Sequence, residues 1–162
     1  MSLFQYKFDT KIGLLYYAWD SNTLLYLGND KQRFEHFKQK AGLGFKQRRF
    51  EHLEQEVDSY LNGHLEQFTI NTRLIYGTRF FCKVLNTLKK VGYGQAVSYR
   101  RLAEMSGRPK AWRAVGSIMG KNPMMIVIPC HRVIKSDGRP GNYSAGIPIK
   151  HFLLKLESKS PA

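Results

Sequence analysis

Near Tyr76-Gly77 the chain changes its hydrophobic period, and that change sets what it can fold into. Before it stand short aromatic and branched runs, LFQYKF, IGLLYYAW and TLLYLG, parted by Asp, Asn, Lys and Gly. Runs of this kind are strands joined by tight turns. After it, apolar residues recur at spacings of three and four, the period of helices packed on one side. The expected class is therefore α/β (α+β), in two parts. Residues 1–75 form a small β-rich domain with a helix, and residues 76–162 form a mostly α-helical domain. A chain of 162 residues buries enough surface to fold without staples. Its two cysteines, Cys82 and Cys130, are far apart and do not suggest a disulfide framework.

In the first part, Phe50, Leu53, Val57 and Leu61 share one face and predict a helix over Arg48–Leu61, ended by Asn62-Gly63. QFTINTRLI reads as a strand or connector. In the second part, Thr78 caps a helix carrying Phe81, Val84, Leu85 and Leu88, which Gly92 and Gly94 break. Ser98 caps the next, YRRLAEMSG, and Pro109 suits the first turn of a third, PKAWRAVGSIMG. Two short helices joined through SGRP make a helix-turn-helix candidate. Ala111, Ala114, Val115 and Ile118 give the third helix a small apolar face toward its neighbour. Lys110, Arg113 and Ser117 share another face, with Lys121 just beyond. That is the build of a DNA-docking helix, and equally of an ordinary amphipathic helix with solvated charges. The final helix carries Ile149, Phe152, Leu153 and Leu156 on one stripe.

Charge bears on that choice. The net charge is +14. Residues 1–75 hold ten Lys/Arg against nine Asp/Glu, and residues 76–162 hold sixteen against three. The excess sits in the helical part, where it attracts a polyanion, most commonly a nucleic-acid backbone. No apolar run approaches a membrane span. MSLFQYKFDTK lacks the pattern of a signal peptide, so a reducing compartment is expected: cytoplasm, or nucleus in a eukaryote.

IVIPCHRVI sets Cys130 directly before His131. The apolar MMIVIP is expected as a buried strand that ends at the cysteine. Neighbours on a regular strand face opposite ways, so cooperation of the pair requires a turn there or a bridging water. A thiol is reactive as thiolate. His131 can take its proton, Arg132 adds positive field, and Glu157, on the flank of the final stripe, can orient the imidazole. Read alone, Cys130 is equally a small buried hydrophobe and His131 a hydrogen-bonded structural residue. A metal site is not expected, because no CxxC or HxxxH spacing exists.

IPCHRVI resembles the signature of the O6-alkylguanine-DNA alkyltransferase (methylated-DNA–protein-cysteine methyltransferase) family. GTRFFCKVL, VSYRRLAEMSGRPKAWRAVGSIMGKNP, GNYSAG and LLKLE extend the resemblance, in order, over most of residues 77–158. The first 75 residues resemble the family only in their β-then-helix character. The resemblance implies a single-use DNA repair enzyme that moves the alkyl group of O6-alkylguanine onto Cys130. O4-alkylthymine is a second possible lesion. His131 would be the base, acting through a water, with Glu157 its orienter and Asn122 the brace of the turn between the recognition helix and the active-site strand. Tyr99 would crowd the DNA phosphate, help rotate the lesion out and protonate the leaving guanine. Arg113 would fill the gap left in the base stack. Lys110, Ala111, Ala114, Ser117, Arg100 and Arg132 would complete the DNA contacts. Tyr143, Ser144 and Ala145 would line the guanine pocket, with Val133 and Cys130 offering backbone carbonyls. The implied partner is double-stranded DNA, entered by the minor groove, bound by a monomer that can act cooperatively. No cofactor is implied, and no Gly-rich cofactor loop is visible. Trp112 stands where relatives often carry a small residue, and packing on the β domain or on DNA sugar both remain open. Ala145 stands where some relatives have glycine, so its methyl group would narrow the pocket. A non-catalytic binder of alkylated lesions, a cysteine hydrolase and a plain DNA-binding regulator are the alternatives.

Overall fold

The computed structural model describes residues 2–42 and 44–158; Met1, Leu43 and residues 159–162 lie outside the described residues. The chain divides into two compact units, 1–75 and 76–162.

The first unit is built on a five-stranded sheet. Strands β1 (Leu3–Thr10), β2 (Gly13–Asp20) and β3 (Thr23–Gly28) run antiparallel in sequence order. They are the three aromatic runs of the sequence. The turn after Asp20 places Ser21 and Asn22 at positive φ, which Asn tolerates better than most residues. Helix α1 (Lys31–Ala41) follows, then β4 (Phe45–Gln47), helix α2 (Glu51–Leu61) and β5 (Asn71–Thr72). The edges β4 and β5 pair parallel with β1 and β3, giving the order β4-β1-β2-β3-β5. Leu15, Tyr17, Leu24, Leu27, Phe37, Leu53 and Val57 are sealed in the core.

Two features of this unit depart from the sequence pattern. Helix α1 is an addition: only Phe34 and Phe37 are buried, a stripe too sparse to register by period. Asp30 caps it through the Arg33 N–H, and Gly42 ends it at φ +67. Helix α2 begins at Glu51 rather than Arg48. Arg48 is held to the sheet instead: its N–H donates to Gln5 O at 3.1 Å, and its carbonyl accepts from Trp19 Nε1 at 3.1 Å.

The second unit opens with α3 (Arg79–Leu88), capped by Thr78. A two-residue strand, β6 (Val97–Ser98), leads into α4 (Tyr99–Met105), capped by the Ser98 hydroxyl through the Arg101 N–H. Helix α5 (Trp112–Met119) packs on α4. Strand β7 (Val133–Ile134) pairs parallel with β6, and α6 (Ile147–Ser158) closes the unit.

Three expectations for this unit need correction. Helix α5 starts at Trp112, so Pro109, Lys110 and Ala111 lie in the turn before it, where the Ala111 N–H donates to Arg108 O at 2.9 Å. Its inward face is Val115, Ile118 and Met119; Ala114 is exposed. Residues 124–129 are a chain of turns rather than a strand. Val127 N–H bonds to Met125 O, Ile128 N–H to Met124 O and Cys130 N–H to Ile128 O, with Ile126 at φ +71. The run is apolar because it threads the core: Met124 and Ile128 are fully buried. Finally, Phe152 is 38% exposed, and the inward face of α6 is Lys150, Leu153 and Glu157.

Candidate active site

The turns before Cys130 are held by one side chain. Asn122 accepts from the Met124 N–H at 3.0 Å and donates to the Ile128 carbonyl at 2.8 Å. The same amide also donates to Cys130 Sγ at 3.1 Å. One amide therefore satisfies the bent backbone and polarises the thiol. Cys130–Arg132 then forms a single 3-10 turn, the break in direction that two neighbouring residues need to act together.

That turn sends His131 and Arg132 into the interior, toward α6. Glu157 Oε1 lies 2.7 Å from His131 Nε2. Arg132 donates to both oxygens of Glu157, by Nε at 3.2 and 3.0 Å and by Nη2 at 2.8 Å, and its Nη1 donates to Val91 O at 2.6 Å. The Gly94 N–H adds a further donor to Glu157 at 3.3 Å. A carboxylate so supplied accepts from His131, so Nε2 carries the proton and Nδ1 is the basic nitrogen. Burial holds His131 below its ordinary pKa, against the pull of Glu157. The imidazole is therefore neutral and fit to accept a proton.

Cys130 lies at the wall of a cleft of about 520 Å³, lined also by Tyr99, Trp112, Arg113, Asn142 and Tyr143. Burial pushes the thiol above its ordinary pKa. Asn122, the Lys150 charge and the Tyr143 hydroxyl pull it down again. The sulfur is thus kept as thiol while its surroundings favour the thiolate. Tyr99 is also raised, by burial and then by the Cys130 charge, so its hydroxyl keeps its proton. Gly141, at φ +76, approaches Tyr99: a Cβ there would sit 3.1 Å from the hydroxyl.

Lys150 is a residue that the sequence reading missed. It is fully buried, and its Nζ donates to Val133 O at 2.6 Å and to Asn142 O at 3.3 Å. Burial lowers its pKa from 10.5 to about 8, against the pull of Cys130. The signal was present as a lysine on the stripe that also holds Leu153 and Glu157.

Of the expected residues, Tyr99, Arg100, Arg113, Cys130 and Tyr143 line the cleft. Asn122, His131, Val133 and Glu157 stand behind it. The Val133 carbonyl is already taken up by Lys150, and the Cys130 carbonyl by the Val133 N–H; each retains a second lone pair. Lys110, Arg113, Ala114 and Ser117 are exposed along α5 and its approach, with Ala111 half-buried. Ser144 is exposed and Ala145 half-buried, outside the cleft wall. Arg132 requires correction as a DNA contact: it is buried, and its guanidinium is engaged by Glu157 and Val91. Lys135, Ser136 and Asn142 also line the cleft; they lie in an irregular loop with no period to announce them.

Comparison with known proteins identifies the family. The profile of the 6-O-methylguanine DNA methyltransferase DNA-binding domain matches residues 79–159. A methylated-DNA–protein-cysteine methyltransferase of Methanosarcina barkeri is 42% identical over 106 residues, covering 65% of this chain and 66% of the relative, just under two thirds of its length. One from Mycolicibacterium paratuberculosis is 37% identical over 155 residues, covering 95% of this chain and 92% of the relative. The crystal structure of Mycobacterium tuberculosis OGT in complex with DNA superimposes with a TM-score of 0.83 at 31% identity, covering 94% of this chain and 92% of that one. The chain belongs to the O6-alkylguanine-DNA alkyltransferase (methylated-DNA–protein-cysteine methyltransferase) family.

Proposed function

We propose that this protein repairs O6-alkylguanine in duplex DNA by moving the alkyl group irreversibly to its own Cys130, once per molecule. Residues 76–162 act as the DNA-binding and alkyl-acceptor domain. The observation that carries the reading is the position of Cys130, at a cleft edged by the cationic flank of α5 and backed by the buried His131–Glu157 pair. Relatives named for methylated-DNA–protein-cysteine transfer, and one known in complex with DNA, support it.

The alkylated oxygen of a paired guanine lies inside the duplex, so the base must be extruded to reach a protein nucleophile. Lys110, Ser117 and Arg100 grip the backbone, and the small side chains of Ala111 and Ala114 let α5 approach the minor groove closely. Tyr99 presses on the phosphate while Arg113 occupies the vacated place in the stack. Tyr143 borders the guanine in the cleft, Ser144 and Ala145 stand just beyond the cleft wall, where the Ala145 methyl limits the room for bulky alkyl groups, and the Val133 and Cys130 carbonyls receive the exocyclic amine.

Transfer is an in-line displacement at carbon. The thiol proton passes through a water to His131 Nδ1, and Glu157 stabilises the imidazolium. Sγ forms its bond to the alkyl carbon as the carbon–oxygen bond breaks, and the electron pair stays with the guanine oxygen. Tyr99 protonates the leaving base and is reprotonated through solvent by the proton held on His131, so the net result is a thioether and an ordinary guanine. No group in the site can displace a thioether, so the molecule acts once, as a monomer able to crowd cooperatively on DNA. It acts where DNA lies, in the cytoplasm or, in a eukaryote, the nucleus.

The test is intact-protein mass after mixing with duplex DNA containing one O6-methylguanine, beside Cys130→Ala. The native chain should gain one methyl group and stop there, and the variant none. Lesion binding without mass gain would make the protein a binder of alkylated DNA instead.

A further inference from the structure

Trp112 has no part in the transfer just described, yet its placement is unusual. It begins α5 and lines the same cleft as Cys130. The Arg113 guanidinium stands 5.0 Å from its ring centroid, so one indole face already carries a cation. The side chain is still 40% exposed. A large amphipathic ring left in water, in a cleft that Arg100, Arg113 and Lys135 also line, offers a flat apolar face in cationic surroundings.

We propose that Trp112 is a stacking platform for an unpaired nucleobase at the mouth of the Cys130 cleft. This rests on the DNA reading of the cleft. Every base has a π-face, so an aromatic among cations binds unstacked nucleotides without regard to sequence. The guanidinium on the opposite face adds a cation–π layer and fixes the ring, so little order is lost on binding. The ligand class is a single-stranded or locally opened segment of DNA.

The experiment uses the full chain and an unmodified single-stranded oligonucleotide, in native, Trp112→Phe and Trp112→Ala forms. Binding is followed by anisotropy across a salt series and by tryptophan fluorescence. The other tryptophan, Trp19, is buried in the first unit against Phe50, so a quench on binding reports Trp112. The native chain should quench. Trp112→Ala should bind about tenfold more weakly, with an unchanged salt slope because no phosphate contact is lost, and Trp112→Phe should recover most of the affinity. No quench in the native chain, or equal affinity for Trp112→Ala, overturns the proposal. So does a loss that Trp112→Phe fails to recover. Methyl gain at Cys130 is scored separately on methylated duplex. Gain without these effects sinks the Trp112 inference alone. These effects without gain leave Trp112 as a nucleobase site and sink only the transfer.

Discussion

Glu157 receives His131, Arg132 and the Gly94 N–H together, and each depends on it differently. His131 loses an orienter without it, while Arg132 is left as a buried cation with no counter-ion. Breaking one side of a buried ion pair costs about 3–5 kcal/mol. Glu157→Gln should therefore lower unfolding free energy by about 3 kcal/mol in urea and slow methyl transfer at least tenfold in single-turnover assays. A change in stability with an unaltered rate would remove Glu157 from the reaction. Lys150 makes a prediction of opposite character. Its folded pKa is about 8 against an ordinary 10.5, so between these values the unfolded chain binds more protons. Stability attributable to Lys150 then rises with pH across that window. Cys130 works the other way, since its folded thiol stays protonated while the unfolded one ionises. Cys130→Ala should thus show rising urea midpoints from pH 8 to 10, and adding Lys150→Met should flatten the rise. Parallel curves would show that Lys150 is not a buried cation.

The helices illustrate which signals a sequence carries. Thr78 and Ser98 cap α3 and α4 where local pattern places them, because a cap is a contact between neighbours. Ser98→Ala should cost about 1 kcal/mol in denaturant midpoint analysis, and Ser98→Thr most of that less. Tyr99 is the first residue behind that cap, so transfer should slow as well; an unchanged rate would show that Tyr99 holds its place without it. The apolar run before Cys130 was illegible for a physical reason. Period and composition report burial, and a strand and a buried series of turns are buried alike. What selects turns is a single side chain a few residues upstream, the Asn122 amide, which answers the Ile128 carbonyl and the Met124 N–H that a neighbouring strand would otherwise answer, and neither period nor composition reports it. The start of α5 failed similarly, because Pro109 fits a first turn and fits the turn before a helix equally well.

Over the whole molecule, the charge asymmetry was legible and its distribution was not. The resemblance placed Arg132 among the DNA contacts, whereas folding withdraws it to balance Glu157. The cations left outward on and beside α4 and α5 include Arg100, Lys110, Arg113 and Lys121. With Arg113 kept for the base stack, three phosphate contacts give a log–log salt slope of about −2.7 for undamaged duplex. Lys110→Gln should flatten that slope by about 1 and weaken binding uniformly across sequences, read by anisotropy at several salt concentrations. A slope near zero would mean that α5 does not meet the backbone.

Cys130 sits in the middle of the second unit, while Lys150 and Glu157 both belong to α6. Sequence order therefore becomes order in time during synthesis. A nascent chain that has delivered its thiol still lacks the carboxylate that readies the imidazole and the ammonium that favours the thiolate. Until α6 docks, Cys130 is an ordinary cysteine, so the thiol we propose as a single-use acceptor acquires its reactivity last.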